Sequence, residues 1–409
     1  MEYFKSTKEP EIYHYFNANK EQLWMYRHKY YDGTGKRREK KKSGFATEKA
    51  ALKALLEVKA STLRGQTKHI ENEGLTVSDY LDTWFEKYRI KKNWSNNSIK
   101  IREQAIRLYY KPLLGQYKLH NLSSDMYQAQ FIDVLAKQYK PGTVRSIHTV
   151  FKTVISAAVK ERILLFDPIV DVVIPANTKR DANGKKRENF LTPSQLVTFL
   201  DDAKQHENIT NYSFLLTLSY TGMRCGEALG LHWKNIDFAN STITVERSRD
   251  FDGTHSPKTE NSYRTILVDK AVMKQLETYQ KWCKKLLLPY GRKLKDENDD
   301  TFVFLSELSA EPISPSAVSK SVSRIIQRTQ LPRITLHGLR HTHCTVLLNY
   351  GLNVKVIAER LGNTTDMIYK IYGHVLKEME QESVSIFSQS LNSHGAINGA
   401  TGANSGAGY

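Results

Sequence analysis

Hydrophobic and polar positions change period several times along this chain, and each change marks a block. From Leu23 to Tyr31 aromatic and basic residues alternate, the run breaks at Asp32-Gly-Thr-Gly35, and it resumes at Lys36-Arg-Arg-Glu-Lys-Lys-Lys42. Such runs on both sides of an Asp-Gly turn predict a β-hairpin. Beyond Gly44-Phe-Ala-Thr47 the period lengthens. In Glu48-Lys-Ala-Ala-Leu-Lys-Ala-Leu-Leu-Glu57, Ala51, Leu52, Leu55 and Leu56 fall on one helical face, and Thr47 is placed to cap it. Residues 1–70 are therefore expected to form a three-stranded sheet with one helix behind it.

Residues 75–175 have helical periodicity, as in Val77-Ser-Asp-Tyr-Leu-Asp-Thr-Trp-Phe85 and again from Thr143 to Ala158, with breaks at Pro141-Gly142 and Asp167-Pro168. They predict a compact helical domain. Residues 176–188 hold Lys179, Arg180, Lys185, Lys186 and Arg187 with almost nothing apolar, the pattern of an exposed basic linker. The block 189–392 opens on Leu191-Thr-Pro-Ser, a helix start with proline in the first turn. It reads as mostly helical, with a β excursion at Ser241-Thr-Ile-Thr-Val-Glu-Arg247 and Arg264-Thr-Ile-Leu-Val268. Residues 393–409 are mainly Gly, Ala, Ser and Asn and predict a tail without a core. The fold class expected is multidomain, mainly α with small β-sheets: sheet plus helix, helical domain, α+β domain.

Composition adds a partner to this outline. A chain of 409 residues has room for two or three domains. Lys plus Arg number 60 against 43 Asp plus Glu, a net charge of +17. With a pI near 9.5, that surplus points to a polyanion. The amino terminus, MEYFKSTKEPEIYHYF, lacks the apolar core of a signal peptide, and no stretch approaches the roughly 18 apolar residues of a membrane span. The three cysteines, Cys225, Cys283 and Cys344, form no CxxC pair, so neither a disulfide framework nor a cysteine zinc site is expected. The expected compartment is the cytoplasm.

Four short motifs carry the candidate chemistry: Thr221-Gly-Met-Arg-Cys-Gly-Glu-Ala-Leu-Gly-Leu231, Leu336-His-Gly-Leu-Arg-His-Thr342, Arg360-Leu-Gly-Asn363 and Ile371-Tyr-Gly-His374. Taken with Pro257-Lys-Thr259 in the β excursion, their order resembles the catalytic signature of the tyrosine recombinases, the family of phage and mobile-element integrases. Five of its six positions match: Arg224, Lys258, His337, Arg340 and Tyr372. The sixth, usually His or Trp, is Asn363, which can donate a hydrogen bond through its amide but cannot be protonated. Residues 1–70 resemble the family's arm-type DNA-binding domain, and residues 75–175 its SAM-like core-binding domain.

The resemblance implies a site-specific recombinase that integrates and excises a mobile element through a 3'-phosphotyrosine intermediate and a Holliday junction. Tyr372 would attack the phosphodiester. Arg224 and Arg340 would clamp the non-bridging oxygens with forked hydrogen bonds, and Lys258 would protonate the departing 5' oxygen. His337 would support the phosphate or help move the tyrosine proton. Glu227 either orients Arg224 or caps its helix, and His374 is a further candidate beside Tyr372. Neither a cofactor nor a metal is expected. The implied partners are double-stranded DNA at core and arm sites, three further copies of the chain with Leu376 to Leu391 docking on a neighbour, an excisionase and a host DNA-bending protein, with no membrane.

Each residue also has an ordinary reading. Arg224 suits a helix end, Lys258 a surface hairpin, His337 a turn, and Tyr372 a half-buried position near Tyr369, which is the competing tyrosine. Two rival functions remain open: the stretch from Val354 to Tyr372 reads as a helix-turn-helix of a non-catalytic regulator, and tyrosine chemistry is shared with type IB topoisomerases.

Overall fold

The computed structural model describes residues 2–174, 189–255, 262–294 and 299–372, with residue 387. The chain divides into two compact units, 1–179 and 180–409.

In the first unit, strands Phe4–Lys5, Ile12–Phe16, Gln22–Tyr31 and Arg37–Phe45 form an antiparallel sheet in sequence order. The sheet has four strands instead of the expected three. The additional strand is only two residues long and pairs Phe4 with His14, too short for alternation to announce it. In the hairpin turn, Asp32 Oδ1 accepts from the backbone N–H of Thr34 and Lys36, and Gly35, at φ 78°, supplies the left-handed residue. Helix Glu48–Leu63 begins where Thr47 Oγ1 accepts from the Ala50 N–H. Its buried face is narrower than expected. Ala51 and Leu55 pack on Ile12 and Tyr26, but Leu56 is 53% exposed, because it lies about 140° around the helix from Ala51.

The helical part of this unit closes a separate core. Helices Val77–Lys91 and Pro141–Lys160 bring Trp84 and Phe151 together with Tyr110, Tyr127 and Phe131, all fully buried. Phe151 stacks on Tyr127 with ring centroids 5.2 Å apart, and the Tyr110 hydroxyl donates to the Ile147 carbonyl at 2.7 Å. Pro141 occupies the first turn of its helix, where its missing N–H costs nothing. The helix containing Ile106–Tyr110 widens by one residue just before Pro112, whose ring would clash with the carbonyl four residues back.

The second unit begins with helix Pro193–His206, capped reciprocally by Thr192 and Gln195. Helix Ile209–Thr221 runs through the core, with Phe214, Leu215 and Leu218 fully buried. The expected β excursion is present as Thr242–Val245 paired antiparallel with Arg264–Leu267, Ile243 opposite Ile266, with Ile236–Asp237 on the other side. A second ribbon, Ser248–Asp250 with Gly253–His255, had no apolar alternation to predict it. Helices Lys270–Leu287 and Pro315–Thr329 pack around the core. Helices Leu336–Asn349, Val354–Leu361 and the one covering residues 365–372 share a small cluster of Cys344, Leu348, Ile357, Leu361, Ile368 and Tyr372. No described helix is long and apolar enough to cross a membrane.

Candidate active site

Helix Ile209–Thr221 ends at Gly222, whose φ of 65° reverses the chain. Two residues later Arg224 stands at the start of helix Cys225–Leu229. Its Nη1 donates to Glu227 Oε1 at 2.7 Å, and its Nη2 donates to the Gly362 carbonyl and to Asn363 Oδ1, both at 2.9 Å. Glu227 Oε2 accepts from the Arg224 backbone N–H at 2.9 Å and from Arg264 Nη2 at 2.8 Å. The two readings of Glu227 therefore coexist in one carboxylate, which orients Arg224 and caps its helix. Burial alone would raise the Glu227 pKa. The hydrogen bond and charge of Arg264, with Arg224, outweigh that and hold it below the usual carboxylate range.

Helix Leu336–Asn349 starts at Thr335, whose hydroxyl accepts from the Gly338 N–H. It presents His337, Arg340, His341 and Cys344 within two turns. Arg340 is 3% exposed, and its Nη1 donates to the Gly222 carbonyl at 3.0 Å. Its Nη2 is buried with no partner among the described residues. Burial, then the charge of Arg224, lower its pKa to about 10, so it stays a cation at neutral pH. His337 is exposed as a residue, but its ring meets His341 edge to face at 4.6 Å. That enclosure, with the charges of Arg340 and Arg224, lowers its pKa.

Asn363 follows the left-handed Gly362 that ends helix Val354–Leu361. The sequence reading had its amide as a donor; the contact formed uses the carbonyl oxygen as acceptor, since a guanidinium offers only donors. Two residues further begins the helix that carries both tyrosines. Tyr369 is 55% exposed, whereas Tyr372 is 5% exposed. The Tyr372 hydroxyl lies 2.5 Å from His341 Nδ1. Burial, then the neighbouring Cys344 thiol, push the Tyr372 pKa well above that of free tyrosine.

Sequence reasoning singled out His337 and passed over His341, the histidine that touches the nucleophile candidate. The available signal was spacing: positions 337 and 341 share one helical face. It also missed Arg264 and Arg360. Arg264 is nearly buried and links Glu227 to the Arg360 carbonyl. Arg360 donates to His343 Nε2 and to the carbonyls of Leu267 and Tyr220, fastening the Asn363 turn to the strand and to the helix before Gly222. Lys258, His374, the segment from Leu376 to Leu391, the basic linker and the tail lie outside the described residues. Among those that are described, no group of three His, Cys, Asp or Glu is placed to hold a metal ion.

Arg224, held by a buried carboxylate, and Arg340, held by a backbone carbonyl, stand near a tyrosine that meets a histidine, an arrangement suited to a phosphodiester. Comparison with known proteins gives the same class. Residues 189–379 match the phage integrase family, residues 13–62 an arm DNA-binding domain, and residues 76–136 the N-terminal SAM-like domain of phage integrases. The ICEBs1 integrase of Bacillus subtilis (strain 168) is 29% identical over 59% of this chain and 63% of its own length. A XerC-like tyrosine recombinase of Caldanaerobacter subterraneus subsp. tengcongensis is 26% identical over 77% of this chain and 83% of its own. A structure of the Tn1549 transposon integrase in complex with circular intermediate DNA superposes with a TM-score of 0.61 at 22% identity, covering 75% of this chain and 99% of that one, which shows a shared fold. Residues 189–379 thus form a phage integrase family domain, behind an arm DNA-binding domain and a SAM-like domain, the make-up of the tyrosine-type recombinases of mobile elements.

Proposed function

We propose that this integrase cleaves one strand of its attachment DNA by attack of Tyr372 on the scissile phosphate, leaving a 3'-phosphotyrosine and a free 5'-hydroxyl. The reverse step, on a partner strand, completes exchange and resolves through a Holliday junction. The observation that carries the reading is the buried Arg340 Nη2, without a partner among the described residues and close enough to Arg224 and Tyr372 to feel their charge. A buried guanidinium N–H left unpaired costs about 1–3 kcal/mol or more, so this position suits an anion that supplies the acceptor.

Arg224 and Arg340 hold the non-bridging oxygens, where negative charge concentrates in the transition state. Asn363 keeps Arg224 aimed and donates no proton. Lys258 acts as the acid for the departing oxygen, because an ammonium can lose its proton and a guanidinium in practice cannot. The sheet of the first unit takes arm sites, and the helical block with the second unit takes the core site. Four copies assemble on two sites in the cytoplasm, with an excisionase and a DNA-bending protein directing excision.

A nicked suicide substrate, in which the cleaved strand cannot religate, tests this directly. The expected adduct maps to Tyr372, disappears in Tyr372→Phe and survives in Tyr369→Phe. Tight, salt-sensitive binding without any adduct would instead support a helix-turn-helix regulator.

A further inference from the structure

The contact between His341 and Tyr372 goes beyond what the catalytic signature assigns. Helix Leu336–Asn349 stacks His337 and His341 one turn apart, with ring centroids 4.6 Å apart and planes at 87°. His341 then meets the Tyr372 ring edge to face at 5.5 Å, and its Nδ1 lies 2.5 Å from the tyrosine hydroxyl. His337 makes no hydrogen bond to Tyr372 among the described residues. The titratable and charged groups around His341 are His337, Arg340 and Cys344 from its own helix, Tyr372 from the last described helix, and Arg224, whose charge reaches His337 and Arg340. Burial, followed by the influence of His337 and Arg340, lowers the His341 pKa to about 4. The imidazole is therefore neutral at physiological pH. In the tautomer that carries the ring proton on Nε2, Nδ1 accepts from the tyrosine O–H.

Resting on the proposed tyrosine attack, we propose that His341, and not His337, is the catalytic base that takes the Tyr372 proton. As the bond from Tyr372 Oη to phosphorus forms, the bond from phosphorus to the 5' oxygen breaks. The hydroxyl proton passes to His341 Nδ1, and the 5' oxygen receives a separate proton from the acid. In the return step the imidazolium gives its proton back to the departing phenolate. A buried tyrosine whose pKa is raised needs such a partner. The incoming phosphate supplies the negative charge that stabilises the imidazolium while it exists. His337, outermost in the row, is left to hydrogen-bond the phosphate.

The test compares two suicide substrates that differ only at the bridging 5' position, oxygen or sulfur. A thiolate leaves without needing an acid, so sulfur rescues loss of the acid and not loss of the base. His341→Asn retains an acceptor near the Nδ1 position but cannot take a proton. It should slow adduct formation by about 10²- to 10⁴-fold on both substrates. Lys258→Ala should recover on sulfur. The pH profile of adduct formation should lose its acidic limb in His341→Asn and keep it in His337→Ala. Activity of His341→Asn within threefold of wild type would reduce His341 to a positioning residue and overturn the proposal. Rescue of His341→Asn by sulfur would overturn it by making His341 part of the acid. Absence of any adduct from the wild-type chain would instead remove the tyrosine reading on which it rests.

Discussion

Removing the Glu227 carboxylate should unfold the second unit more readily than any surface ion-pair change, and the structure sets the size. Glu227 is 3% exposed and accepts from Arg224 Nη1, the Arg224 N–H and Arg264 Nη2 at 2.7, 2.9 and 2.8 Å. The Arg264 side chain is 7% exposed, so Glu227→Ala strands one guanidinium inside the protein and leaves a second, Arg224, half-buried without its counter-ion. Breaking a buried pair from one side costs about 3–5 kcal/mol. For a unit of 230 residues that corresponds to a fall in its melting temperature of about 6–20 °C. Glu227→Gln retains an acceptor and should lie between. The comparison is Asp82→Ala, which removes an exposed partner of Lys111 and should cost less than about 1 kcal/mol. Differential scanning calorimetry reads both. The sign with pH follows from the lowered pKa of Glu227: its contribution is complete above the ordinary glutamate value of about 4.3 and is lost as pH falls through the lower folded-state value. The gap between wild type and Glu227→Ala should therefore close below about pH 4. A cost under about 1 kcal/mol at pH 7 would refute the argument that this carboxylate holds the arginines.

Three further outcomes are expected. Gly222→Ala should destabilise by more than about 1 kcal/mol and lower cleavage together with stability, since a Cβ there would meet Leu361 Cδ2 at 2.6 Å and His343 Cδ2 at 2.7 Å on a backbone at φ 65°; thermal melts and adduct yield measure the two effects. His343 is partly buried, accepts from Arg360, and has a pKa lowered to about 4, first by desolvation and then by the Arg360 charge; its contribution to stability should thus be complete above about pH 6.5 and decline toward pH 4, a decline that urea midpoints should find shallower in His343→Gln. Phe151→Ala, at the centre of the helical core, should cost about 3–5 kcal/mol by denaturant titration of residues 1–179 within the full chain.

Local sequence was sufficient wherever the deciding interaction is local. Thr47 and Thr192 cap the helices that follow them, Pro141 and Pro193 open helices in the first turn, and Thr242–Val245 pairs with Arg264–Leu267 as its β-branched residues suggested. The motifs that carry Arg224, His337, Arg340 and Tyr372 were also legible, because their residue types stand at characteristic spacings. Tertiary structure decided the rest. Leu56 and Leu55 are neighbours of equal hydrophobicity, and only the line along which the helix crosses the sheet exposes one and buries the other. Tyr369 and Tyr372 are the same residue three positions apart, yet one ring faces solvent and the other meets His341. His341 became visible only when two helices separated by 31 positions in the chain closed on each other. The links from Arg224 to Asn363 and from Arg360 to Leu267 span 139 and 93 positions, and no local pattern encodes them. Composition and periodicity set which residues are available and which elements form, whereas the packing of those elements chooses among like residues and fixes the distances that chemistry requires.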